Sequence, residues 1–282
     1  MTKLISILRG PWSIAVYTWR EGIRKKLLIG FFILSILVIF GSNVITSFMT
    51  ELPGTNFSSD VDVRLIKDIC ITTISIFGVL ITIFISASVV PTEVENKVIY
   101  TVLSKPVRRY QYLLGKFIGV QLVVIINLVL MGALFFMAIY FKQSVPPTLL
   151  LWAILLTYFE FLVVSSLTFA VSCTSTSAVL PTISGLFIFI TGNLTEYLKN
   201  VSDRATTQQS LTTGEWAIGK IAKGLYYCLP NLQNFSMRDQ ILHLQPNDPP
   251  QDIQIPNLII YALLWAIGGY IIAYWVFRRK EL

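Results

Sequence analysis

Charge-free apolar runs of membrane-crossing length alternate with short polar connections along this chain. Residues 27–50, 69–92, 117–141 and 253–277 carry no charged side chain, and residues 143–198 carry only Glu160 and Glu196. A helix needs about 20 mostly apolar residues to cross the hydrocarbon core. The 143–198 run is therefore long enough for two crossings, and the small polar stretch SCTSTSA at 172–178, followed by Pro181, divides it. The pattern predicts six spans, near 27–48, 69–91, 116–141, 149–171, 178–197 and 256–277. The predicted fold class is an all-α membrane protein, one permease-like unit over residues 1–282.

Composition agrees with that pattern. Of 282 residues, 54% are hydrophobic and only 13% are charged, against roughly 25% charged in a soluble domain. Cys70, Cys173 and Cys228 are far apart with no CxxC or Cys/His cluster, so neither a disulfide framework nor a metal site is expected. No cleavable signal peptide is expected either, because the first long apolar run begins after Lys26 and lacks a small-residue cleavage site.

Charge then orients the spans. With six crossings both termini share a side, which holds 14 of the 22 Lys and Arg residues against four acids. The opposite side holds eight basic residues and ten acids. Basic residues concentrate in cytoplasmic connections, which places both termini and the connection between the second and third spans in the cytoplasm.

The flanking segments carry their own patterns. In residues 1–26, Leu4, Ile7, Leu8, Trp12, Val16 and Trp19 recur at helical spacing among Lys3, Arg9, Arg20 and Arg24. A basic, aromatic, amphipathic helix of this kind lies in the membrane interface; the alternative is a short cytoplasmic extension of the first span. Residues 198–255 form a large extracytoplasmic connection without a strand pattern. There Trp216, Ile218, Ile221, Ala222, Leu225 and Leu229 fall near one helical face, and Pro230 ends that helix.

Several chemistries lack their signatures. There is no G-x-x-x-x-G-K-[ST] loop for ATP phosphates, no H-E-x-x-H around the single His243, and no G-x-S-x-G elbow. The chain is expected to be no enzyme, to bind no cofactor or metal, and to have no nucleic-acid partner.

The cytoplasmic connection 92–115 is the most patterned polar stretch. Thr92-Glu93-Val94-Glu95 reads as a capping box opening a helix, with Val94, Val98 and Val102 continuing an apolar stripe. Ser104 reads as the cap of a second helix, with Pro106 in its first turn, where a missing N–H costs nothing. Val107, Tyr110, Leu114 and Phe117 extend an apolar face, while Arg108, Arg109 and Lys116 point elsewhere. A helix-break-helix at the membrane surface is predicted. Composition alone leaves a solvated loop equally open.

The order of residues in TEVENKVIYTVLSKPVRRYQYLLGKFIG is more specific. It resembles the signature of ABC transporter permeases of the type-2 exporter class: an acid pair, then L-L-S-x-P-V-x-R, then L-G-K. Glu93, Glu95, Leu103, Ser104, Pro106, Val107, Arg109, Gly115 and Lys116 carry the match. The family usually has Gly-Thr two residues after the second acid, where this chain has Lys97-Val98. The resemblance extends to the six spans, the N-terminal helix, LPNLQNF at 229–235 and the basic C-terminus.

The resemblance implies that the insert is a coupling helix docking on a separate ABC ATPase subunit, two copies per transporter, where ATP and Mg would be bound. Glu93, Glu95, Lys105, Arg108 and Arg109 would be its polar contacts, with Ser104 and Pro106 setting the bend and Gly115 and Lys116 completing the motif. It further implies an exporter in the inner (cytoplasmic) membrane, dimerising with a second or related permease, surrounded by lipid and open to an extracytoplasmic accessory protein. Alternative readings are a non-transporting subunit that passes force to an external partner, and an ATPase-independent channel or carrier.

Inside the membrane, Glu160 is the one deep ionisable group, and such a carboxyl must face the bundle interior, a partner or water. It reads either as part of a translocation path or as bonded to Asn127, Gln121 or a neighbouring hydroxyl. Asn43 and Asn127 read as interhelical polar glue.

Overall fold

The computed structural model describes residues 2–51, 59–97, 108–140, 147–195, 197, 199–200, 202–203, 220–226, 229–236 and 255–279. These are helical or irregular, with no strand among them. The helices are α1 (Thr2–Ile23), α2 (Lys26–Glu51), α3 (Ser59–Ser88), α4 (Pro91–Glu95), α5 (Arg109–Tyr140), α6 (Pro147–Thr174), α7 (Val179–Asn193) and α8 (Ile255–Arg279). Five of them (α2, α3, α5, α6 and α8) are long and apolar enough to cross a membrane.

The predicted fifth span, 178–197, corresponds to α7, which has only 15 residues, about 22 Å of helix against a hydrocarbon core of about 30 Å. It stops at a turn at Leu194, after which residues 195, 197, 199–200 and 202–203 are helical again. A break at that depth must have its carbonyls satisfied from elsewhere. The Leu232 amide donates to the Gly192 carbonyl at 3.1 Å, and the Thr195 hydroxyl donates to the same carbonyl at 2.7 Å. Residues 229–236 are thus seated on the end of α7, with Leu232 and Phe235 buried and the Asn231 amide donating to the Tyr261 hydroxyl at 2.9 Å.

The core lies where α3, α5 and α6 pack together, with α2 against α3 and α5, α7 against α3 and α6, and α8 against α6. Val79 and Ile83 of α3 meet Val120 and Val124 of α5 and Phe161 and Val164 of α6 in one buried cluster. Lipid is as apolar as these side chains, so close packing rather than water exclusion must hold the helices together. Small residues at the crossings allow this. A Cβ on Gly78 would sit 2.6 Å from the Phe161 ring, and one on Gly269 would sit 3.0 Å from the Ser166 backbone.

The N-terminal segment is a helix of its own, separated from α2 at residues 24–25. Its packing differs from the predicted aromatic stripe. The face turned inward is Pro11, Ala15, Thr18 and Gly22, while Trp12 is exposed. α1 runs beside α5 in the same direction, and a Cβ on Gly115 would lie 2.6 Å from the Pro11 carbonyl oxygen. Small residues line the closest approach to α5, while Trp19 packs partly buried against the core. The helix predicted after Trp216 is partly described: residues 220–226 are helical, but Ala222 faces inward while Ile221 and Leu225 are exposed. Trp216 and Ile218 lie outside the described residues.

Candidate functional site

α3 ends at Ser88 and the chain restarts as α4 at Pro91. Proline cannot continue the ladder of the preceding helix, yet its fixed φ suits the first helical position. The predicted Thr92 capping box therefore does not form. The helix starts two residues earlier, its N-cap is Val90 without a side-chain cap, and Thr92 lies inside the first turn. This rotation points Glu93 into the protein.

Glu93 is buried, and its carboxylate accepts hydrogen bonds from the Lys116 ammonium and the Tyr112 hydroxyl of α5. Tyr112 and Lys116 are four residues apart on one helix, so they share a face. The ammonium also lies 5.5 Å from the centre of the Tyr17 ring of α1. The Tyr112 ring stacks on Phe277 of α8, centroids 5.7 Å apart. One buried charge pair thus joins the surface helix α4 to α5, and aromatic contacts carry the junction to α1 and α8. Removing two charges from water is costly, and such a pair persists when its geometry fixes a position that apolar packing would leave free to slide.

Nearby, the Lys25 ammonium donates to Ser88 Oγ at 2.6 Å, joining the α1–α2 link to the end of α3. Burial lowers the Lys25 pKa, opposed by Glu21. Glu21 in turn raises the Tyr17 pKa, with burial and Glu93 acting the same way.

The predicted site residues divide accordingly. Glu95 is exposed at the end of α4, with Asn96 and Lys97 beside it. Lys97 adopts φ 56°, the left-handed conformation that commonly ends a helix and is usually given to glycine. The turn forms without glycine. Glu93, predicted as a polar contact for a partner, and Lys116, predicted to complete the motif, are instead closed on each other in the interior. Gly115 serves the approach of α1. Ser104, Lys105 and Pro106 lie outside the described residues. Arg108 is exposed and its amide donates to Gln111 Oε1 at 3.2 Å, capping α5. Arg109 is half-buried, its Nη1 donating to the Arg278 carbonyl at 3.2 Å.

Deep in the bundle, Glu160 is buried, and its polar partner is the Asn193 side chain at the end of α7, whose Nδ2 also donates to the Phe189 carbonyl at 3.0 Å. Neither Asn127 nor Gln121 is that partner. Gln121 donates to Ser165 Oγ at 2.7 Å, Asn127 is half-buried on α5, and Asn43 donates back to the Ile39 carbonyl of its own helix at 3.3 Å. Among the described residues no group of three or more His, Cys, Asp or Glu side chains could hold a metal ion.

Sequence reasoning missed Tyr112, Tyr17 and Asn193. Tyr112 was detectable by its four-residue spacing from Lys116. Asn193 was detectable as an amide placed at the end of an apolar run.

A family model described as "ABC-2 family transporter protein" matches residues 12–282. No curated protein matches the chain.

Proposed function

The chain belongs to the ABC-2 family of membrane transporter proteins, and from that premise we propose that it is the permease subunit of an ATP-driven exporter. A separate ATPase would dock on the cytoplasmic face of α4. In this reading Glu95 and the exposed turn at Asn96 and Lys97 meet the ATPase together with Ser104, Lys105 and Pro106, and Arg108 and Arg109 flank that face on the α8 side. ATP and Mg belong to the ATPase, and this chain performs no hydrolysis. Two permease copies and two ATPase copies make the transporter, and substrate leaves outward between the permeases. The cytoplasmic placement follows from the excess of Lys and Arg at this end of the bundle, and α1 lies at the inner membrane surface.

The observation that carries the proposal is the buried Glu93–Lys116 pair. A five-residue surface helix transmits force only if it is rigidly tied to a spanning element. Here the tie is ionic, hydrogen-bonded and sealed from water. Movement of α4 on ATPase closure would pull α5 directly, and α1 and α8 through Tyr17 and Phe277.

Affinity purification of the full chain from its native membrane tests this. A P-loop ATPase should co-purify, and the double reversal Glu95→Lys with Lys97→Glu should reduce its recovery. In vesicles, Glu93→Gln should leave the ATPase bound while weakening the permease's effect on its hydrolysis. Failure to recover an ATPase, or full recovery with the reversals, would refute docking at α4.

A further inference from the structure

At the seam between the start of α5 and the end of α8 lies an open groove of about 580 Å³, lined by Arg108, Arg109, Tyr110, Tyr274 and Arg278. Three of its five lining residues are arginines and none is a carboxylate. Like charges gathered in one concavity raise its potential and favour an anion there. Arg109 braces the groove by its bond to the Arg278 carbonyl, and the Tyr270 hydroxyl donates to the Tyr110 carbonyl at 3.0 Å from the α8 side. The groove is therefore held from both walls.

Its position selects among anions. α8 has 25 residues, about 37 Å of helix against a hydrocarbon core of about 30 Å, so Arg278 at its end reaches headgroup level. Just before it, Ile271, Ile272 and Trp275 are exposed apolar side chains suited to acyl chains. Arg279 stacks 3.6 Å over the Trp275 ring, an amphipathic pairing suited to the interface. Arginine presents a planar fork that matches phosphate oxygens.

We propose that this groove is a binding site for the phosphodiester of an anionic phospholipid, with Arg108 and Arg278 as the phosphate-binding side chains and the outer face of α8 alongside its acyl chains. The site goes beyond the coupling reading and does not depend on it, since it requires only that α8 spans the bilayer.

The test is retention of phosphatidylglycerol by the full chain in nanodiscs of phosphatidylglycerol and phosphatidylcholine, quantified per chain after extraction and by native mass spectrometry. The chain should retain phosphatidylglycerol in preference to phosphatidylcholine. Arg108→Gln with Arg278→Gln should weaken that retention roughly thirtyfold, given the usual contribution of two basic residues near a membrane surface. Arg64→Gln, on an exposed side chain toward the opposite end of α3, should not. Arg108→Lys with Arg278→Lys should keep part of the effect, which separates loss of the phosphate contact from loss of the fold. Equal retention by wild type and the Gln variant would overturn the site. Displacement of the lipid by inorganic phosphate would also overturn it, showing a soluble oxyanion site. If the Gln variant keeps its phosphatidylglycerol but loses a co-purifying ATPase, the groove is a protein-docking face and the proposal fails.

Discussion

The Lys116 ammonium of α5 is closed on the Glu93 carboxylate of α4, and both side chains are withdrawn from solvent. Removing one member strands the other without a counter-charge, which typically costs about 3–5 kcal/mol, whereas removing both together costs much less. Lys116→Met and Glu93→Gln should each lower the unfolding midpoint of the detergent-purified chain, and the double variant should recover part of the loss. A double variant as unstable as the sum of the singles would show that the two residues act independently.

The approach of α1 to α5 depends on two glycines. A Cβ on Gly115 meets the Pro11 carbonyl oxygen at 2.6 Å, and one on Gly119 meets Thr18 Cβ at 2.6 Å and the Ala15 carbonyl oxygen at 2.8 Å. Overpacking of this kind costs about 1–3 kcal/mol, so Gly115→Ala or Gly119→Ala should loosen α1 and speed its removal by protease. At Gly30 and Gly41 of α2 nothing lies within 4 Å of the added carbon. Alanine there should be neutral or stabilising by up to about 1 kcal/mol through helix propensity. Equal sensitivity at all four positions would contradict the packing described.

Lys97 pays a conformational cost at φ 56°, about 1–2 kcal/mol for a residue with a Cβ. Lys97→Gly should raise the unfolding midpoint, and Lys97→Val, β-branched at the same backbone angle, should lower it. Thermal melts of the two variants beside wild type would decide this, and a lower midpoint for the glycine variant would count against the assigned turn.

Lys25 supplies a pH signature. Burial lowers its folded pKa below the ordinary lysine value, so between the two values the unfolded chain binds the extra proton. Stability contributed by this residue therefore rises with pH across that window. Relative to Lys25→Met, wild type should gain stability as the pH rises toward the ordinary lysine value of about 10.4. A stability difference that stays constant or shrinks over that range would refute the assignment.

The spans were legible because an apolar run of crossing length has few alternatives: 69–91 overlaps α3 as far as Ser88, and 116–141 overlaps α5 as far as Tyr140. Of the predicted helix-break-helix, the described residues hold a five-residue helix that ends at Glu95, and its details were not legible. Pro91 moved the helix start by two residues and turned Glu93 inward, an outcome decided by where α5 stands rather than by anything in residues 92–95. Similarly, Glu160 demanded a partner by its chemistry alone, yet its pairing with Asn193 depends on how α6 and α7 cross. Periodicity reports which face of a helix is apolar. It does not report which other helix a buried charge will meet.

The end of α7 has a consequence for biosynthesis. Its last turn is completed by the Leu232 amide on the Gly192 carbonyl, supplied by a stretch made roughly forty residues later in a chain synthesised from its N-terminus. Until that stretch emerges, the Gly192 carbonyl has only the Thr195 hydroxyl as its partner. The final closure of α7 must be a late event, following insertion rather than accompanying it.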